Sequence, residues 1–130
     1  MASEMKDKIR AGTPEEICQL FKRYMQEGDL ESLLSLYDTD VVFVSESGEM
    51  RDRQQLKDEL APLVATHTVF DFNIIKVIQA DNVALMHTQW IISSSQSRSL
   101  YAIEVARRQP DGSWRWLIGD PFTVSNNWIN

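Results

Sequence analysis

The hydrophobic positions of this chain change their period once. Between Thr13 and Thr68 they recur at helical spacing, and beyond Thr68 they alternate. Ile17, Leu20, Phe21, Tyr24 and Met25 fall on one stripe of a first helix. Thr13-Pro14-Glu15-Glu16 opens that helix with a hydroxyl at the N-cap, proline at the first helical position, and a glutamate that reaches back to the cap's N–H. Gly28 fits the left-handed residue that closes it. Asp29 then caps a shorter helix whose buried side is Leu30, Leu33, Leu34 and Tyr37, before Asp38-Thr39-Asp40 breaks the pattern into a short loop. Residues 41–46 are β-branched and aromatic enough for a strand, and Ser47-Gly48-Glu49 is a turn. Asp52 with Gln55 forms a capping box for a third helix with Leu56, Leu60, Leu63 and Val64 on its apolar face. Pro62 removes a donor and clashes with the Asp58 carbonyl, which predicts a kink or an early end near Leu60 and Ala61.

The second half reads as strands over 69–79, 83–93, 100–108 and 114–119. Ala80-Asp81-Asn82, the serine-rich 93–99 and Pro110-Asp111-Gly112 are connections of hairpin length, so successive strands should pair antiparallel, with 93–99 a mobile loop. Both faces of the 100–108 strand are largely apolar. Leu100, Ala102, Glu104 and Ala106 alternate with Tyr101, Ile103 and Val105, which implies helices on one side and some other cover, a second subunit being one candidate, on the other. Helices first and a curved antiparallel sheet over them make an α+β arrangement.

Composition narrows the picture. A chain of 130 residues, 43% hydrophobic and 25% charged, supports one core. The reading is a loose leader over 1–12 and a single domain over 13–130. A net charge of -6 argues against nucleic acid as a partner. No apolar run reaches the roughly 20 residues that cross a bilayer, and the leader has no secretion-signal core. The lone cysteine, Cys18, forms no internal disulfide and suits a cytoplasmic protein. It reads as an inert small hydrophobe.

Glu104 is the candidate with the strongest claim to chemistry. Packing does not ask for an acid between two alanines on a covered strand, so it is either paired, with Arg107 or an arginine across a dimer, or lines a cavity. Glu46, at a strand end beside Ser45, Ser47 and Gly48, is either solvated or a second acid in that cavity. If both share it, their repulsion splits their pKa values and supplies an acid and a base to one substrate. His87 lies mid-strand with Leu85 and Gln89, as a proton shuttle or an interface residue. His67 suits the end of the third helix. Asp120, just before Pro121, reads as an Asp-Pro turn. Phe72, Trp90 and Trp116 are candidate aromatic walls, with core packing the alternative. Tyr24 and Tyr37 read as helix-face packers. The histidines lack metal-ligand spacing, so no metal is expected, and no phosphate loop or serine elbow appears.

The element order, Gly28-Asp29-Leu30-Glu31 leading to Leu36-Tyr37 and Asp40-Val41-Val42-Phe43, the Arg53-Gln54-Gln55-Leu56 helix start and Pro110-Asp111-Gly112-Ser113-Trp114-Arg115 resemble the nuclear transport factor 2-like superfamily. Within it, the likeness is to ketosteroid-isomerase-like and SnoaL-like polyketide-cyclase-like proteins, over roughly 13–121. The resemblance implies a cone-shaped, cystatin-like fold: a bent sheet wrapped around the N-terminal helices, an apolar pocket at the wide end, and a homodimer through the outer sheet face. It implies a small hydrophobic ligand, and cofactor-free isomerase, cyclase or dehydratase chemistry or else a non-catalytic binding or dimerisation role. The isomerases' general base falls at Ser45, beside Glu46, their second acid at Glu104 after Ile103, and a polar pocket position of the cyclase-like proteins at Asp120. Their oxyanion tyrosine falls at Phe21, which cannot donate, and losing such a donor costs a factor of about a hundred or more.

Overall fold

The structure is a computed structural model that describes residues 9–93 and 96–128. Helix α1, Pro14–Glu27, starts as its sequence dictates: the Thr13 hydroxyl accepts the Glu16 N–H. The Glu16 carboxylate reaches one residue further back than the cap, accepting the Gly12 N–H at 2.7 Å. At the other end Gly28 takes φ 74°. A side chain there would also meet the ring of His67, whose Nδ1–H donates to the Gln26 carbonyl at 2.8 Å. His67 thus satisfies the end of α1 as well as following its own helix.

Helix α2, Leu30–Leu34, is capped by Asp29, which accepts the Ser32 N–H. The chain then enters strand β1, Tyr37–Val44, without the expected loop. Tyr37 is therefore a strand residue rather than a helix-face packer. Asp38-Thr39-Asp40 reads as a loop because two carboxylates seem unfit for a sheet, but Asp38 is compensated where it lies. Its buried carboxylate accepts Arg107 at 2.8 and 3.0 Å, Gln109 at 2.9 Å and the Asp40 N–H at 2.9 Å. The strand ends at Val44, which leaves Ser45 and Glu46 in the turn that leads to β2, Met50–Arg51.

Helix α3, Arg53–Ala65, carries the capping box in both directions. It does not end at Leu60. Pro62 and Asp58 face solvent, so the carbonyl that loses its partner is free to bind water and the helix continues for another turn.

Strands β3 (Val69–Ala80), β4 (Val83–Ser93), β5 (Arg98–Arg108) and β6 (Trp114–Asp120) follow, and a short helix α4, Thr123–Asn127, closes the described chain. The six-stranded curved sheet has the order β2-β1-β6-β5-β4-β3, antiparallel except where β1 runs parallel to β6. Of the 93–99 connection, residues 94–95 lie outside the described residues. Register places Ala84, Met86, Thr88 and Trp90 on the same inner face as Leu100, Ala102, Glu104 and Ala106. Helix α1 lies against that face, and Ile17, Met25, Leu33, Leu56 and Met86 form the most deeply buried part of the core.

The leader is not loose to Gly12. Ala11 is 1% exposed and its carbonyl accepts the Trp114 N–H at 2.8 Å, the Ile9 carbonyl accepts the Tyr24 hydroxyl, and Arg10 pairs with Asp111. The rest of the expected leader, residues 1–8, lies outside the described residues.

Burial raises the Asp38 carboxyl, but hydrogen bonds from Arg107, the Asp40 N–H and Gln109 together hold it below its ordinary value. A depressed acid stabilises the fold above the unfolded-state pKa of about 3.9 and loses that contribution as pH falls through the folded one. Asp38→Asn should cost about 3 kcal/mol at neutral pH, because it leaves Arg107 facing an amide. Urea unfolding across pH should show the gap between variant and parent closing below about pH 4.

Candidate functional site

Ala102 is fully buried and small, and the space it leaves lets the Glu104 side chain lean along β5 toward β4. There the Thr88 hydroxyl donates to one carboxylate oxygen at 2.9 Å, and the Trp90 indole Nε1–H donates to the other at 2.9 Å. Glu104 is 6% exposed. Burial pushes its carboxyl up to about 7, against the opposing pull of the Trp90 and Thr88 hydrogen bonds. Arg107 is not its partner, being committed to Asp38 and Asp40.

Glu104 lines a cavity of about 130 Å³ whose other walls are almost entirely apolar. Phe21 from α1, Tyr37 from β1, Trp90 from β4 and Trp116 from β6 form its buried part. Phe21 lies edge-on to Trp90 at 5.0 Å and to Trp116 at 5.7 Å between ring centroids. The half-buried Phe43, Leu63, Asp120 and Phe122 mark the open side. Asp120 does both things its sequence context offered. It borders the cavity, and one of its oxygens accepts the Phe122 and Thr123 N–H groups to turn the chain into α4. The nearby charge of Glu104 adds to burial in raising the Tyr37 hydroxyl pKa, and burial followed by Glu104 likewise raises the Cys18 thiol.

Three residues expected at this site lie elsewhere. Glu46 is in the turn after β1, its side chain 62% exposed and paired with Arg98 at 2.6 Å, and that pairing lowers its pKa. The expected repulsion between two acids sharing a cavity therefore does not arise from Glu46. His87 is out of phase with Thr88 and Trp90, so it lies on the outer face, with its ring nitrogen 3.0 Å from the Tyr101 hydroxyl. Phe72 shares the inner face but stands behind Trp90, at 5.5 Å between ring centroids, and does not reach the cavity wall. Thr88, Tyr37, Phe43 and Phe122 were missed. Strand phase alone does not tell Thr88 from His87, and it is the pairing of Glu104 with Met86 that puts Thr88 and Trp90 beside it. Among the described residues, no group of three or more His, Cys, Asp and Glu side chains could hold a metal ion, and no helix is long and apolar enough to cross a membrane.

The sequence pattern of the SnoaL-like domain matches residues 17–117. The chain belongs to the SnoaL-like domain family. None of the curated proteins matches it in sequence. Solved structures that resemble this SnoaL-like domain carry the nuclear transport factor 2-like and cystatin-like fold. A candidate calcium/calmodulin-dependent protein kinase type II association domain from Thiobacillus denitrificans superposes with a TM-score of 0.71 at 13% identity, over 89% of this chain and 100% of that one. A candidate dehydratase of the nuclear transport factor 2-like family from Streptomyces avermitilis gives 0.64 at 20% identity, over 82% and 89%. A cystatin-like domain of unknown function from Nostoc punctiforme gives 0.68 at 12% identity, over 82% and 72%. At these identities the likeness is one of fold.

An acid whose pKa is raised on folding stabilises the native state fully below its unfolded-state pKa, and that stability is lost as pH rises through the folded one. Glu104 should therefore cost the fold about 3 kcal/mol more at pH 8 than at about pH 4. Denaturant unfolding of Glu104→Gln should lack this descent, so that the variant gains on its parent as pH rises. Parallel pH profiles would mean that the carboxyl is solvated.

Proposed function

We propose that this SnoaL-like domain binds a compact apolar molecule in the cone cavity and that Glu104 moves a proton on it without a cofactor. The observation that carries this reading is a single deeply buried carboxyl set in an otherwise apolar cavity. A volume of about 130 Å³ is close to the roughly 150 Å³ engineered cavity that takes up benzene, which is room for one ring in the buried part. With a β,γ-unsaturated ketone, the Glu104 carboxylate takes the proton from the carbon next to the carbonyl. The carboxyl so formed returns it to the γ carbon as the double bond moves into conjugation. A group that is half ionised near neutrality serves both steps.

The second reading, binding without chemistry, draws on another observation. Both Glu104 oxygens already accept protein hydrogen bonds, as they would in a structural network. Absorbance of the conjugated product separates the two, with unconjugated cyclohexenone as the substrate. Proton transfer predicts acceleration over buffer that falls by about a hundredfold or more in Glu104→Gln, with cyclohexanone binding retained. A protein that binds cyclohexanone and leaves the isomerisation at the buffer rate is a binding module.

We also infer that the domain pairs with a second copy through the outer sheet face. Val42, Ile118, Val105, Leu85 and Ile78 lie in register across five strands as one aliphatic band. Val42, Ile118 and Ile78 are 37%, 41% and 48% exposed, more than scattered surface residues explain when they adjoin. Sedimentation equilibrium should give a dimer at micromolar concentration and a monomer for Ile118→Lys. A monomeric parent at high concentration refutes the pairing.

A further inference from the structure

The chain leaves the sheet on the open side of the cavity. Strand β6 stops pairing with β5 at Asp120, opposite Ile103, and two residues away along β5 the Tyr101 N–H donates to the Ser125 hydroxyl of α4 at 2.7 Å. Pro121 and Phe122 line the cavity, and α4, which follows them, buries none of its own residues. The half-buried Phe122 ring stands edge-on to Phe43 at 6.4 Å between centroids. The Arg98 guanidinium lies over the same Phe122 ring at 5.6 Å from its centroid, and Glu46 holds Arg98 at 2.6 Å. With the Glu46 and Arg98 side chains 62% and 44% exposed, the ion pair and the cation–ring contact are each weak.

We propose that residues 121–127 form a lid on the cone cavity, latched by Arg98, and that the lid opens for a ligand to enter or leave. This rests on the cavity-binding reading above and adds the step that controls access to the site. A segment with no buried side chain comes away at a small fraction of the cost of unfolding the sheet. The Asp120 carboxylate accepts the Phe122 and Thr123 N–H groups, so the corner stays formed while α4 parts from Tyr101. Closure brings Phe122 into the apolar wall of the cavity that Glu104 lines, and excluding water from a buried reactive group is what lids do. The latch also gives Glu46 a use. Solvated in its turn, it is spent on holding Arg98 over Phe122 rather than on proton chemistry.

The test uses the intact chain and reads the motion and the passage separately. Amide hydrogen exchange reports the motion, because the acceptor of the Tyr101 N–H belongs to the lid. Tyr101 should exchange about tenfold or more faster than Met86, which lies on β4 between two strands. Arg98→Gln should speed Tyr101 by about threefold or more and leave Met86 within about twofold. Passage is read by fluorine NMR line shapes of fluorobenzene, a one-ring probe of the size the cavity takes. Its on- and off-rates should rise together by about threefold or more in Arg98→Gln, and by less in Glu46→Gln, which keeps the cation over the ring. Affinity should stay within about twofold, because a latch changes how often the lid opens and not what the closed cavity holds. Tyr101 exchanging as slowly as Met86 and indifferent to Arg98→Gln overturns the lid. Unchanged probe rates, or an off-rate that rises alone, also overturn it and leave cavity binding intact. Absence of fluorobenzene binding in parent and variants alike removes the cavity reading, and the lid's role with it.

Discussion

Burial of the Glu104 carboxyl is the constraint around which the inner face of this sheet is arranged. An ionised carboxylate in apolar surroundings is unstable unless it is hydrogen-bonded, and two side chains on β4 supply the bonds. That demand joins β5 to β4 across the inner face, is met beside the small Ala102, and occupies the Trp90 indole N–H. The Thr88 hydroxyl makes the arrangement tolerant of proton exchange. It donates to the carboxylate and, by rotating, can accept from the carboxyl. Trp90 has no such freedom, which favours placing the proton on the oxygen that faces Thr88.

The two charged networks of the fold work in opposite directions. Asp38 is held ionised by Arg107 and Gln109 and ties the start of β1 to the end of β5. Glu104 meets no cation and sits near the midpoint of its titration at neutral pH. The difference comes from the company each acid keeps, because both are almost fully buried. A carboxylate with a guanidinium partner is structural, whereas one with only neutral donors beside a cavity is available for exchange with a ligand.

Much of this was legible in the sequence because the signals are local. Thr13, Asp29 and the Asp52–Gln55 box announce helix starts, and the hairpin turns dictate antiparallel neighbours. What was not legible depended on partners distant in the chain. Tyr37 and Asp38 enter a strand because Trp116 and Arg107 receive them, roughly seventy to eighty residues later. Pro62 fails to stop α3 because the Asp58 carbonyl that it leaves without a donor lies on the solvent side. Glu104 stands out between two alanines, whereas Glu46 is open between solvent and cavity until the end of β1 at Val44 places it in a solvated turn. His87 and Thr88 are adjacent, so a single residue of phase separates the outer face from the cavity side.

The measurement that bears most directly on this account is a carbon NMR titration of the glutamate side-chain carboxyls, with Glu104 assigned by Glu104→Gln and repeated in Glu46→Gln. The account predicts a Glu104 midpoint near 7, well above the ordinary glutamate value of about 4.3, and no change in that midpoint when Glu46 is neutralised. A Glu104 midpoint in the ordinary range would contradict it. The carboxyl would then be solvated, and the case for proton chemistry in this cavity would fall.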